Sequence, residues 1–159
     1  MKLKLILPLA ICMIAFSSCH KEDSYILNPL YDLDVPLHNV TENGGAGFIK
    51  FRQNPDTARL VTLETGVTGM KPNHSYLVQR AVNPIGDATG CSSNVWLTLG
   101  VGLQPMSILT NSQGDGSVNL WRDITGIPRG SAFHIRFQVL NEVTLSPVLA
   151  SECFDYTVR

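Results

Sequence analysis

Four histidines occur in the chain, and His38, His74 and His134 are the three that fall within the folding stretch. Three imidazoles suffice to hold copper or zinc, but no two of these stand at ligand spacing. His74 sits in a turn and His134 on the polar face of a strand pattern, where solvated histidines are expected. Nucleophilic hydrolysis needs serine, histidine and aspartate in one geometry, and no GxSxG elbow is present. Glycoside hydrolysis needs two carboxylates facing across a cleft. Glu64, Asp87, Asp123, Glu142 and Glu152 are available, with no spacing that pairs them. Asn111 to Ser117 follows the outline of a calcium loop, yet Asn111 and Gln113 replace acids and Arg122 stands where a bidentate glutamate is required. Aromatic contact is what remains. Trp96 alternates with Val95, Leu97 and Leu99 in a run apolar on both faces, which favours burial, whereas Trp121, between Leu120 and Arg122, could join Tyr31 in an open platform for a sugar or peptide. No catalytic residue, metal ligand or cofactor is therefore expected. Trp121 and Asp87 are the candidate ligand contacts, the latter in the Gly-, Asp- and Ser-rich loop from Asn83 to Asn94.

The elements that must position these residues have a period of two. Phe133, Ile135, Phe137 and Val139 point one way while His134, Arg136 and Gln138 point the other, the pattern of a half-buried strand. Ile49 and Phe51 face away from Lys50 and Arg52; Val61 and Leu63 alternate with Thr62 and Glu64; Phe154, Tyr156 and Val158 alternate with Asp155 and Thr157. Asn54-Pro55-Asp56, Lys71-Pro72-Asn73, Asn83-Pro84, Gln113-Gly114-Asp115-Gly116 and Pro128-Arg129-Gly130 separate the runs, with Asp115-Gly116 suited to a tight hairpin. No apolar set recurs at three and four positions over three turns, so helices of more than one turn are not expected. The spacing predicts eight or so strands, at 37–41, 46–53, 58–67, 74–82, 95–101, 106–111, 117–123, 132–141 and 151–158, one pair of them merged. Short strands with one clean apolar face need a second sheet to cover them, which argues for an antiparallel sandwich.

The chain has 159 residues, 44% hydrophobic and 16% charged, with 12 basic and 13 acidic groups. That length suits one domain with an ordinary core, and the charge balance gives no case for nucleic acid. Lys2 and Lys4, the apolar run Leu5 to Phe16 and the small residues Ser17-Ser18 form an export leader, residues 1–18, too short to span a bilayer. Its removal takes the formal charge from −1 to −3. A tether, residues 19–36, interrupted by Pro29 and Pro36, then leads into the folded module, residues 37–159.

Phe16-Ser17-Ser18-Cys19 resembles the lipobox of bacterial lipoproteins, with Phe16 in place of the usual Leu, Val or Ile. The resemblance implies that Cys19 becomes the first mature residue and carries lipid on its sulfur and amino group, an anchor of more than one acyl chain. His20-Lys21-Glu22-Asp23 resembles the Lys-acid-acid signal of surface-exposed lipoproteins of the Bacteroidota. This implies display on the outer membrane, facing out or into the periplasm. With Cys12 lost in the leader and Cys19 lipidated, Cys91 and Cys153 remain in a compartment where disulfides persist, and a bond between them is expected. Two separate thiols are the alternative. A metal site is disfavoured, since neither has a CxxC neighbour or an adjacent histidine.

Thr68-Gly69-Met70-Lys71-Pro72-Asn73-His74-Ser75-Tyr76-Leu77-Val78 resembles the tyrosine corner of fibronectin type III and related immunoglobulin-like domains. There a proline turn and a tyrosine link two strands, and the resemblance gives Pro72 and Tyr76 those structural roles. It implies an all-β, Greek-key, immunoglobulin-like β-sandwich. The function expected is a non-enzymatic binding or structural module at the cell envelope, held to the membrane by its N-terminal lipid, with a glycan or protein ligand. A small envelope metalloprotein or hydrolase, and an accessory subunit of an envelope complex, are the alternatives.

Overall fold

The computed structural model describes residues 32–41, 44–54, 59–86 and 90–159. The leader, Cys19, the tether up to residue 31, Tyr31 and Asp87 lie outside the described residues. Among the described residues the chain is all-β, with twelve strands and no helix. They are β1 (Asp32–Asn39), β2 (Ala46–Gln53), β3 (Leu60–Thr68), β4 (Ser75–Pro84), β5 (Leu97–Thr98), β6 (Gly100–Val101), β7 (Gln104–Pro105), β8 (Ser107–Leu109), β9 (Gly116–Asp123), β10 (Ala132–Asn141), β11 (Pro147–Ala150) and β12 (Phe154–Thr157). They form one mixed sheet in the order β5-β4-β10-β11-β1-β2-β3-β9-β6-β7, with β12 beside β10 and β8 beside β4.

The sheet curls almost into a barrel because the chain changes partners on both sides. On one side β1 pairs with β2 along Asp32–Leu37 and with β11 only at His38 and Asn39. On the other, the buried Leu99 is the crossing point: β5 before it pairs with β4, and β6 after it pairs with β9. The chain returns through β7, which pairs with β6, and β8, which pairs with β4. The apolar faces meet inside. Leu33, Val35 and Leu37 of β1, Ile49 and Phe51 of β2, Val61, Leu63 and Val67 of β3, and Ile135, Phe137 and Val139 of β10 belong to one buried cluster. Alternation is the cause, since each strand turns every second side chain to the same face.

β2 and β10 coincide with the periodicity. Elsewhere the strands depart from it, and the closure explains how. The predicted strand at 95–101 breaks in two because it crosses between halves of the sheet, and of the predicted 106–111 only Ser107–Leu109 pairs, as β8, with β7 falling between the two runs. Of the predicted 151–158 only Phe154–Thr157 forms a strand, β12; β11, which the periodicity did not mark, precedes it along the same edge of β10, with an interruption at 151–153. There the Ser151 hydroxyl accepts the Phe137 N–H (2.9 Å) and the Ser151 N–H donates to the Phe137 carbonyl (3.0 Å), so the ladder stays satisfied across the break. β1 begins at Asp32, taking in residues 32–36 that the polar, proline-containing pattern placed in the tether. Pro36 is tolerated because, among the described residues, the edge of β1 away from β2 has no strand partner before His38, and a missing N–H costs least there. Gln113 to Gly116 is not a hairpin: β8 and β9 pair with β4 and β3, and the turn arches between the halves. Gly114, at φ 86°, packs so close to the Met70 backbone that a Cβ has no room.

One buried polar cluster ties the C-terminal strand to β2. The Tyr156 hydroxyl (2.9 Å) and the Arg159 N–H (2.8 Å) both donate to Oε1 of the buried Gln53. Burial pushes the Tyr156 phenol well above its usual ionisation range, outweighing the pull of Arg59, Arg80 and Arg159. Above about pH 10 the unfolded chain releases this proton while the folded protein keeps it, so the contribution of Tyr156 is whole below that pH and declines above it. Comparing urea midpoints of the protein and Tyr156→Phe from pH 7 to 11 should show their gap closing above about pH 10. A constant gap would contradict this account.

Candidate functional site

The outward face of β2, β3 and β9 carries the side chains that alternate with the core. Register places Lys50 opposite Glu64 and Glu64 opposite Asn119, and likewise Arg52 opposite Thr62 and Thr62 opposite Trp121. These six line a shallow, solvent-open groove of about 390 Å³. Trp121 is 38% exposed. Its ring rests against Gly102, where a Cβ would stand 3.0 Å from Cη2, so glycine there lets the β6–β7 turn lie on the indole. The Gly102 N–H donates to the Trp121 carbonyl (3.0 Å), and Arg122 Nη1 to the Gly102 carbonyl (2.9 Å), which fixes the turn against β9.

The charges of the groove are partly neutralised in place. Lys50 Nζ lies 3.3 Å from Glu64 and 5.5 Å from the Phe48 ring centre. Arg52 pairs with Asp34 at 2.5 Å and donates to the carbonyls of Leu33 (2.8 Å) and Phe51 (2.9 Å). Arg52 is therefore locked, while Lys50, Glu64 and Asn119 keep exposed donors and acceptors beside an indole face. Exposed pairs of this kind contribute little to stability, roughly 0–1 kcal/mol. Sequence reasoning singled out Trp121 but not its companions. Their outward parity was readable, whereas the strand neighbours that gather them were not.

The other chemical candidates are scattered. His38 is exposed on β1 opposite Ala150. The His74 ring lies 5.7 Å from that of Tyr76, and His134 Nδ1 lies 2.7 Å from Asp155, its partner across the β10–β12 ladder. Among the described residues no three His, Cys, Asp or Glu side chains gather where they could hold a metal ion. Hydrogen bonds from the Thr125 hydroxyl and N–H hold the Asp123 carboxyl below the usual carboxylate range, the reverse of what a general acid needs. Asn111 Oδ1 accepts the N–H groups of Gln113 and Asp115, both at 2.9 Å, and so closes the turn that outlined a calcium loop.

Cys91 and Cys153 are bonded, with Cα atoms 5.8 Å apart. Nearby, the buried Asn83 carboxamide accepts the Ser93 N–H (2.9 Å), and Arg136 donates to the Ser93 carbonyl (2.8 Å). Arg136 also stacks over Trp96 at 4.9 Å, so that indole is half-buried beneath a cation rather than in the core. At the proline turn, the Lys71 N–H donates to the buried Tyr76 hydroxyl (3.2 Å), while the Thr110 hydroxyl donates to the Lys71 carbonyl (2.7 Å). Pro72 is exposed at the tip of this turn. Compared with protein-family models and with curated proteins, the chain matches none.

Proposed function

We propose that the protein is a cell-envelope lipoprotein, anchored at Cys19 to the outer membrane, whose immunoglobulin-like sandwich module binds a glycan without transforming it. The anchoring rests on the leader and the lipobox-like Phe16 to Cys19. The sandwich reading is supported by the facing apolar halves of the sheet and by the Tyr76 hydroxyl bonded within the Pro72 turn. The observation that carries the binding role is the Trp121 indole, 38% exposed and flanked by Lys50, Glu64 and Asn119. A sugar ring presents a C–H face that packs on an indole and hydroxyls that such side chains can bond.

The test uses the full chain. Mass spectrometry of its mature N-terminus should find acyl chains on Cys19. Titration with envelope and host oligosaccharides should give a Kd on the order of 0.1–1 mM, as suits a shallow groove, with Trp121→Ala weakening it about tenfold or more. An unmodified Cys19 overturns the anchoring. Oligosaccharides that fail to bind at millimolar concentration, or that bind the alanine variant equally, overturn the glycan role in favour of a protein ligand or a purely structural one.

A further inference from the structure

Trp121 and Arg122 alternate on β9, so Arg122 projects from the opposite face, toward the interior. There it meets a cavity of about 90 Å³ between the halves of the sheet, walled by Phe51, Leu63, Leu99, Ile127 and Ile135 among other apolar side chains. Two arginines, Arg80 and Arg122, also line it. Arg80 shares the inward face of β4 with Tyr76, Val78 and Val82, a position that ordinarily takes an apolar residue.

Arg122 is held through Gly102. Arg59 donates to the carbonyls of Thr125 (3.2 Å) and Ile127, the latter residue a wall of the cavity. The ion pairs among the described residues are Lys50–Glu64, Arg52–Asp34 and His134–Asp155, and none neutralises Arg122 or Arg80. Burial, together with repulsion from Arg122, disfavours its charged form, against a smaller favourable pull from Tyr156. A largely buried cation without an anion is costly, and an arginine in the wall of an apolar cavity suits a carboxylate that a ligand brings with it.

We propose that this cavity is a binding site for a small monocarboxylate with an apolar body, its carboxylate held by Arg80 and Arg122 and its body packed against Leu99, Ile127 and Ile135. Charge selects the head: an anion answers arginines that no carboxylate of the described residues neutralises, and a monoanion brings one charge past the apolar walls where a dianionic phosphate brings two. Size selects the body. The space is smaller than the ~150 Å³ dry cavity that accepts benzene, so a phenyl ring or a chain of several carbons would enter partly and fill the mouth. The site lies across the sheet from the Trp121 groove and does not depend on it.

The full chain, carrying ¹³C-labelled methyl groups, is titrated with 3-phenylpropionate and, separately, with the neutral 3-phenyl-1-propanol. The acid should shift the methyl signals of Leu99, Ile124, Ile127 and Ile135 in a saturable way at millimolar concentration and bind about tenfold or more tightly than the alcohol. Arg80→Met should remove that preference while leaving alcohol binding close to unchanged; Arg122→Gln is the second variant should Arg80→Met fail to fold. Equal binding of acid and alcohol, unmoved methyl signals, or an acid preference that survives loss of the arginine would each overturn the proposal.

Discussion

Reduction of the Cys91–Cys153 bond is expected to lower the stability of the domain by about 4 kcal/mol, the chain-entropy value for closing a loop of this size. The two cysteines lie 62 positions apart, and the enclosed chain includes β5 to β11, in which the strand partners change. Untying it returns to the unfolded ensemble freedom that the oxidised chain lacks. The location adds a local effect. Cys91 belongs to a stretch without strand pairing, and Cys153 to the interruption between β11 and β12. Once reduced, residues 90–96 lose their covalent tie and keep non-covalent ones such as the Asn83–Ser93 and Arg136–Ser93 hydrogen bonds and the Arg136–Trp96 stack. For a domain of this size the loss corresponds to a fall in Tm on the order of 15 °C. Thermal unfolding with and without reductant, repeated on a Cys91→Ala/Cys153→Ala variant, measures it. A midpoint unmoved by both treatments would show that the bond constrains nothing the sheet does not already constrain.

Phe137→Ala is the single substitution expected to cost most, about 3–5 kcal/mol. The Phe137 side chain is fully buried in β10, its ring 6.1 Å from that of Phe51 in β2. Phe51 in turn meets Tyr156 of β12 edge-on at 4.8 Å. These three rings join the two halves of the curled sheet at its centre, so alanine removes transfer energy, leaves a void and loses an aromatic contact that itself contributes roughly 0.5–1.5 kcal/mol. Phe137→Leu keeps most of the volume and should lose less than half as much. Urea unfolding with an unchanged slope would attribute the loss to the folded state. A cost below about 1 kcal/mol for the alanine variant would mean that the core collapses to fill the space.

The distribution of legible and illegible features follows from the range of the interactions. Alternation in 46–53 and 132–141 is a local signal, and β2 and β10 form on those residues. The short strands β5, β6 and β8 exist through partners distant in the chain, which is why the run at 95–101 divides and only part of 106–111 pairs. Trp121 could be chosen from the sequence as an indole beside a charged neighbour. Lys50, Thr62, Glu64 and Asn119 became its companions only once the register set β2 and β9 on either side of β3. Arg80 was legible in parity, two residues beyond Val78, yet a cation on an apolar face reads as a chance exposure until the opposite half of the sheet covers it.

By itself, then, the sequence determined an all-β chain, with a period of two that separates core from surface, and the pairing of Cys91 with Cys153. Those features depend on residues near one another or on the chemistry of single side chains. Tertiary structure alone decided the strand order, the near-closure of the sheet at β1 and Leu99, the company around Trp121 and the cavity that encloses Arg80 and Arg122. Hydrogen bonding between strands is indifferent to side-chain identity, so pairing is chosen by how the whole set of apolar faces can be buried at once, a condition that no local segment carries.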